Sequence, residues 1–395
     1  MRPLEGVRVL AVENFIAGPY GSMLLADHGA EVIKVEPPRG DTYRAAVPHY
    51  EKDGARMSYS FLRVNRNKRS IVLDLATSEG RDAFLELVDT ADVVWENLRP
   101  GAFERLDLGW EVLRSRNPRI VYASLTGFGS DDVLPSPFRE RLAFDIVAQA
   151  LSGMMYRVGH EDQEPLHVGT PVADTVSAIL AALGVSLALN ARQQTGVGQR
   201  VDISLYDAMV ALNEQSVGYY SHFGEVPPRG ASPTSAPFSS FMAADGYLAI
   251  GIASDEIWRR FCTVIEAPDL AEDPTLAHGI DRVKHAETRL RPRIEKWTRQ
   301  FPVEEAVRLL NVARVPAANV QNVDDLFDCP HVEARKMLVE LDDPVAGRVR
   351  LAANPIKLSD SYITPNRTAP QLGADQDRYL PRERDRDGTV DRCES

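Results

Sequence analysis

The first 130 residues alternate short β-branched runs with helix-like stretches, and this alternation restricts the chain to folds built on a parallel sheet. Val7–Val12, Glu31–Val35, Ser70–Leu75, Asp92–Trp95 and Arg119–Ala123 read as strands. After the first comes the turn Ala17-Gly18-Pro19, then a helix through Leu24, Leu25 and His28 that Gly29 closes as a C′ glycine. Further helices are predicted near 77–90 and around Trp110 and Leu113. Strand, crossover helix and parallel strand form the right-handed unit of doubly wound sheets.

Two helical segments follow, at 141–152 and 173–194, then the turn Gly196-Val197-Gly198, a strand Val201–Ile203 and a helix near 205–220. The stretch His222–Phe238, rich in Pro, Gly and Ser, reads as a linker. Beyond it, the strand Tyr247–Ile252 and the largely helical 254–314 form a smaller domain. Met337–Leu341 and Arg348–Leu351 are strand-like, with Asp342-Asp343-Pro344 and Gly347 as turn residues, and are expected to rejoin the first domain. The domains are therefore expected at 1–222 (large domain, N-terminal part), 223–325 (small domain with linkers) and 326–380 (return to the large domain). The charged stretch 381–395, poor in large apolar residues, is expected to be disordered. The predicted class is α/β: a large doubly wound, Rossmann-like parallel-sheet domain built from both chain ends, plus a smaller α/β domain.

A net charge of −12 argues against nucleic acid or an anionic membrane surface as a partner. The longest apolar run, Val176–Leu189, is interrupted by Ser177, Gly184 and Ser186 and reads as a buried helix, not a membrane span. The start lacks an apolar signal-peptide core, and Cys262, Cys329 and Cys393 show no CxxC spacing, so a cytoplasmic location is expected. There is no GxxxxGK[ST], HExxH or GxSxG, and Gly196-Val197-Gly198 follows a helix rather than a strand. No metal and no permanently bound cofactor is expected.

Asp174 stands at the head of the apolar stretch Val172–Leu183. A carboxylate there has two readings, a helix N-cap or a nucleophile kept ionised by the helix dipole, and the local sequence leaves both open. Loops at the carboxyl ends of the predicted strands carry Arg39 and Arg44, then Asn97, Arg99 and Arg105, with Asn67-Lys68-Arg69 just before a strand. Cations grouped in such loops on an acidic protein suit a phosphorylated ligand.

In order and spacing, Pro3–Leu10, Ala17-Gly18-Pro19, Gly29–Glu36, Asn67–Ser70, Ala91–Val93, Glu96-Asn97, Asn117–Arg119, Thr126–Gly129, Gln149–Gly153 and Thr195–Gln199 resemble the class III CoA-transferase family. This is the CaiB/BaiF type that includes formyl-CoA and carnitine CoA-transferases. The resemblance implies interlocked homodimers, an acyl-CoA and a small carboxylic acid as substrates, and Asp174 as the nucleophile that carries CoA as an aspartyl thioester. It further implies oxyanion donors on the backbone of Ile16 and Ala17, beside Phe15. Contacts to CoA would come from Phe15, Arg39, Leu73, Asn97, Leu98, Arg105 and Phe144. Tyr43, Arg44, His49, Tyr156, Arg157 and His167 are expected to line an acceptor pocket. Arg157 and His167 would suit a second carboxylate, hence a dicarboxylic acceptor with succinyl-CoA as donor. Formyl-CoA transferase has a glutamine at the position of Ile16 and a glycine-rich lid at Gly230–Ser235, so oxalate and formate are not expected. The related α-methylacyl-CoA racemases are the alternative, but Phe144 and Ser254 replace their proton-shuttling pair, and these side chains cannot exchange a C–H proton. A CoA-binding protein without turnover is the alternative of another class.

Overall fold

The computed structural model describes residues 2–130, 133–361 and 365–380; the expected disordered tail at 381–395 lies outside the described residues. The chain forms two compact units. The first takes its described residues from 1–152, 168–212 and 331–395, and the second comprises 153–167 and 213–330.

The first unit is built on six strands: β1 (Arg8–Val12), β2 (Glu31–Glu36), β5 (Arg69–Val72), β6 (Val93–Glu96), β7 (Val121–Thr126) and β8 (Arg200–Ser204). All pair in parallel, in the order β5-β2-β1-β6-β7-β8. Crossovers from β1 and from β6 run in opposite directions, so a crevice opens between the carboxyl ends of these two strands. Helices cover both faces, and the inner strands are accordingly shielded from solvent, every residue of β6 and β7 being buried. On one face Leu10, Ile33, Ile71, Val94 and Tyr122 pack with Phe84, Val88 and Leu113.

On the other face lie α1 (Ala17–Asp27) and the 24-residue helix Val172–Thr195, here α2. The apolar run is a helix of this unit, as expected; by length and composition alone it could cross a membrane. Its wealth of Ala, Gly and Ser has a steric cause. A Cβ on Gly21 would come within 2.5 Å of the Trp95 ring and 2.9 Å of the Ala178 carbonyl, and one on Gly184 within 2.6 Å of Val201. At its far end Arg192 donates to Asp92 (2.7 Å) and to the Arg119 carbonyl (3.0 Å), and Gly196, at φ 73°, terminates the helix. Gly198 lies so close to the Ile120 carbonyl that no side chain fits. Ile179, Leu183 and Leu187 form an exposed stripe along α2.

The expected hairpin is present as β12 (Leu338–Asp343) and β13 (Gly347–Ala352), and it belongs to the first unit. Val339, Leu341 and Val349 pack on Met57, Phe61 and Leu62. A second hairpin, β3 (His49–Lys52) with β4 (Ala55–Ser58), was not predicted, although Asp53-Gly54, both at positive φ, is its sequence signal. In the second unit β9 (Phe238–Met242), β10 (Tyr247–Gly251) and β11 (Ala317–Asn319) form an antiparallel sheet around a core that includes Trp258, Phe261, Ile294 and Leu310. Phe238, read as the end of a linker, begins β9. The helix predicted at 205–220 breaks at Asn213, which leaves the helical region (φ −88°, ψ 26°), and the units divide there rather than at 222. Residues 153–167 join the second unit because Arg229 donates to the carbonyls of Tyr156, Val158, Gln163 and Glu164.

Beneath the end of β1 the fold buries charge. Lys68 donates to Glu13 (2.7 Å), the Pro19 carbonyl (2.8 Å) and Asn65 (2.8 Å), so all three of its protons are used. Lys34 reaches Asp41 (2.8 Å) and the Glu13 carbonyl (3.1 Å), and Ser22 donates to the second Glu13 oxygen. Burial alone would raise the Glu13 pKa, but the Lys68 and Lys34 ammonium groups outweigh it and hold the carboxylate ionised. Removing one partner of such a buried set strands the others. Lys68→Met is expected to lower the unfolding free energy in urea by about 3–5 kcal/mol. A loss near zero would show that the cluster is not structurally required.

Candidate active site

The turn that leaves β1 sits at the crevice and is clamped from β6. The Asn14 N–H donates to Asn97 Oδ1 (2.8 Å), and Asn97 Nδ2 donates back to the Asn14 carbonyl (2.9 Å). Asn97, expected at CoA, thus spends its side chain on the turn. Gly18 is obligatory beneath it, since a Cβ would lie 2.7 Å from Asn97 and 2.9 Å from Glu13. Phe15 takes the left-handed conformation (φ 63°), and α1 begins at once, with no side chain capping it. The first-turn N–H groups of a helix have no intrahelical acceptor, so Ala17 and Gly18 present donors to the crevice.

Asp174 lies in the first turn of α2 but does not cap it. The residue at the cap is Pro171, and the acceptor comes from the short helix Asp145–Leu151. Asp145 Oδ1 accepts from the N–H groups of Ala173 (2.7 Å) and Asp174 (3.2 Å). Gln149 donates to the other Asp145 oxygen and accepts from the Val168 N–H (3.1 Å), which fixes this carboxylate from behind. The cap reading of Asp174 is therefore corrected: its own carboxylate has no hydrogen-bond donor among the described residues. Burial first, and the Asp145 charge second, push its pKa up to about 7 against the opposing pull of Arg63.

Tyr43 stands near enough to Asp174 for the aspartate charge to act on its hydroxyl. The Phe15 ring meets Tyr43 edge-on at 5.4 Å and Phe144 at 5.8 Å, and Phe144 immediately precedes Asp145. Arg63 follows the helix Tyr59–Leu62, which packs on the turn Thr42–Ala45, and its positive charge favours ionisation of the Tyr43 hydroxyl and of Asp174. The sequence reading brought Phe15, Tyr43, Phe144 and Asp174 to this site and missed Arg63. No motif marks that residue, whose only signal is its nearness to the Asn67–Arg69 cluster.

The remaining expected residues divide into three groups. Arg39 after β2, Leu73 after β5, and Leu98 and Arg105 after β6 follow strand ends on the crevice side of the sheet, and both arginines are exposed. Leu98 donates to Glu96 (2.6 Å), whose own pKa burial pushes up to about 8. Arg44 and His49 serve the fold. Arg44 grips Glu36 through two 2.7 Å bonds and also donates to the Pro370 carbonyl, while His49 contacts the Arg44 carbonyl. Tyr156, Arg157 and His167 belong to the second unit, where Arg157 Nη2 donates to the Ala231 carbonyl (2.8 Å) and Nη1 has no partner. Ser254 caps the helix Asp255–Val264 through the Ile257 N–H.

The family model for CoA-transferase family III matches residues 4–376. Over 377 residues the chain is 43% identical to succinyl-CoA:mesaconate CoA-transferase of Haloarcula hispanica, covering 94% of each. It is 33% identical to succinate–glutarate CoA-transferase of Agrobacterium fabrum, covering 96% of this chain and 95% of that one. Among solved structures, a CaiB/BaiF family protein of Brucella suis superposes with a TM-score of 0.81 at 32% identity, covering 95% of this chain and 97% of the other. The chain belongs to CoA-transferase family III and is an enzyme of that family.

Proposed function

We propose that CoA is transferred through Asp174. Its carboxylate attacks the thioester carbonyl of the donor acyl-CoA, the C–S bond breaks, and a mixed anhydride and CoA thiolate form. The thiolate attacks the aspartyl carbonyl, the donor acid leaves as its carboxylate, and an aspartyl-CoA thioester remains. The acceptor carboxylate then attacks that thioester, and the thiolate released takes the acceptor's acyl group, which restores Asp174. No proton is gained or lost over the cycle. A half-buried carboxylate with no hydrogen-bond donor among the described residues is the observation that carries this reading, because a poorly solvated anion is the better nucleophile. The N–H groups of Ile16 and Ala17, with Gly18 beside them, would stabilise the oxyanions. Phe15, Leu73, Asn97 and Leu98 would form the rim that receives CoA, and Arg39 and Arg105 would meet its phosphates. The names of the relatives favour succinyl-CoA as donor and a dicarboxylic acid as acceptor. The exposed stripe Ile179, Leu183 and Leu187 would be covered by a second copy in a homodimer.

Incubation with succinyl-CoA should add covalently held CoA to the intact protein, seen by mass spectrometry and released by hydroxylamine, and Asp174→Ala should abolish the adduct. An unmodified wild-type protein that nonetheless binds CoA tightly would exclude the covalent route. Since only the ionised carboxylate attacks, kcat/KM should rise with pH and level off above about 7.

The same displaced titration predicts a stability effect. Between the ordinary carboxyl value and about 7 the folded protein holds a proton that the unfolded chain has lost, so stability falls as pH rises through that window. Asp174→Asn should therefore be more stable than wild type at pH 8 by on the order of 1–3 kcal/mol, and the difference should vanish near pH 4. Denaturant melts at the two pH values measure it, and an equal difference at both would contradict the raised pKa.

A further inference from the structure

We propose that Arg63 binds the second carboxylate of the acyl group in transit and so makes the site selective for dicarboxylic acids; this rests on the reading of Asp174 as the nucleophile. The first unit is rich in arginines that are already satisfied. Arg8 pairs with Glu31, Arg44 with Glu36, Arg66 with Asp27, Arg69 with Asp375 and Arg192 with Asp92. Arg63 is half-buried yet forms no ion pair with any carboxylate among the described residues, and the helix it follows packs on the turn that carries Tyr43. A guanidinium without a carboxylate partner keeps its N–H groups for an incoming ligand. The Tyr43 ring packs against Phe15 at the β1–α1 turn, so the segment that carries Arg63 is tied through Tyr43 to the element proposed to hold the oxyanion donors.

The charge at this place changes during the proposed cycle in a way that suits the role. In the resting enzyme Arg63 acts on the Asp174 carboxylate, while the Asp145 oxygens are engaged by the helix N-terminus and Gln149. Once Asp174 is an anhydride or a thioester its charge is gone, and Arg63 has lost the anion that partly compensated it. The site then favours a ligand carrying a further negative charge, at the step when the acceptor must bind. A monocarboxylic acid offers only the carboxylate that reacts and leaves Arg63 unsatisfied, which is the costly condition for a half-buried cation. Arg157, also without a partner on one nitrogen, offers the same chemistry and belongs to the second unit.

The test uses the full chain with succinyl-CoA as donor. The acceptors are mesaconate and its monocarboxylic analogue 2-methylbut-2-enoate. In a two-stage exchange kcat/KM for the acceptor reports only the second stage, so any effect on the donor cancels in the ratio of the two acceptors. The wild-type ratio should favour the diacid. In Arg63→Leu it should fall by on the order of a hundredfold, the size expected for a lost charge-assisted hydrogen bond. Arg63→Lys should retain part of the preference, and Tyr43→Phe should lower it by less than Arg63→Leu does. An unchanged ratio in Arg63→Leu, or a ratio that collapses instead in Arg157→Leu, overturns the proposal. If Arg63→Leu does not fold, the lysine and Tyr43→Phe variants decide by the same ratio. Formation of the CoA adduct on the wild-type protein is scored separately: its absence defeats the nucleophile reading, whereas its presence with an unchanged ratio defeats only the role of Arg63.

Discussion

Glu13 leaves the end of β1 for a place that holds no exposed surface, and its carboxylate is satisfied only by Lys68, Lys34 and Ser22. Buried ions of this kind add little net stability over apolar packing, because their desolvation offsets their attraction. What they provide is uniqueness of arrangement. Lys68 also holds the Pro19 carbonyl in the first turn of α1, and Lys34 holds the backbone carbonyl of Glu13 itself. With Asn97 gripping Asn14 from above, the turn Asn14–Gly18 has one conformation open to it, and Phe15 is carried into the left-handed region.

A second economy concerns the start of α2, where two carboxylates compete for one set of helix N–H groups. Asp145 takes them, and Asp174, in the same first turn, is left beside the positive end of the helix without a bond to it. Its raised pKa follows from that exclusion. The two acidic residues are chemically alike and differ only in what satisfies them, a separation of roles that environment alone can impose.

The parallel sheet, its crossover helices and the returning hairpin were legible in the sequence because short runs rich in β-branched residues alternate with helix-like stretches or with turn residues. The break at Asn213 and the strand at Phe238 were not, since one lies within a continuous helical pattern and the other within a stretch of turn formers. At the site, the chain's own pattern singled out Asp174 and its apolar setting but could not separate a cap from a free carboxylate. That distinction depends on Asp145, 29 positions earlier, and no local signal links the two. Arg44 reads as a ligand-binding cation from its loop position, yet its partner Glu36 ends the preceding strand. Arg63 gives the opposite case, an unremarkable residue in a helix-ending segment whose importance comes only from what stands opposite it.

The 24 residues of α2 span roughly 36 Å, and the end remote from Asp174 is bolted by Arg192 to Asp92 and the Arg119 carbonyl, where β6 and β7 begin. Close contacts at Gly21 and Gly184 leave the helix no room to slide. It works as a ruler laid across the sheet, with its zero mark on the side away from the crevice. The location of the Asp174 carboxyl is thus written at the opposite end of the helix, remote from the crevice. Loops on the crevice side can lengthen, shorten or change sequence to suit another acid without moving it.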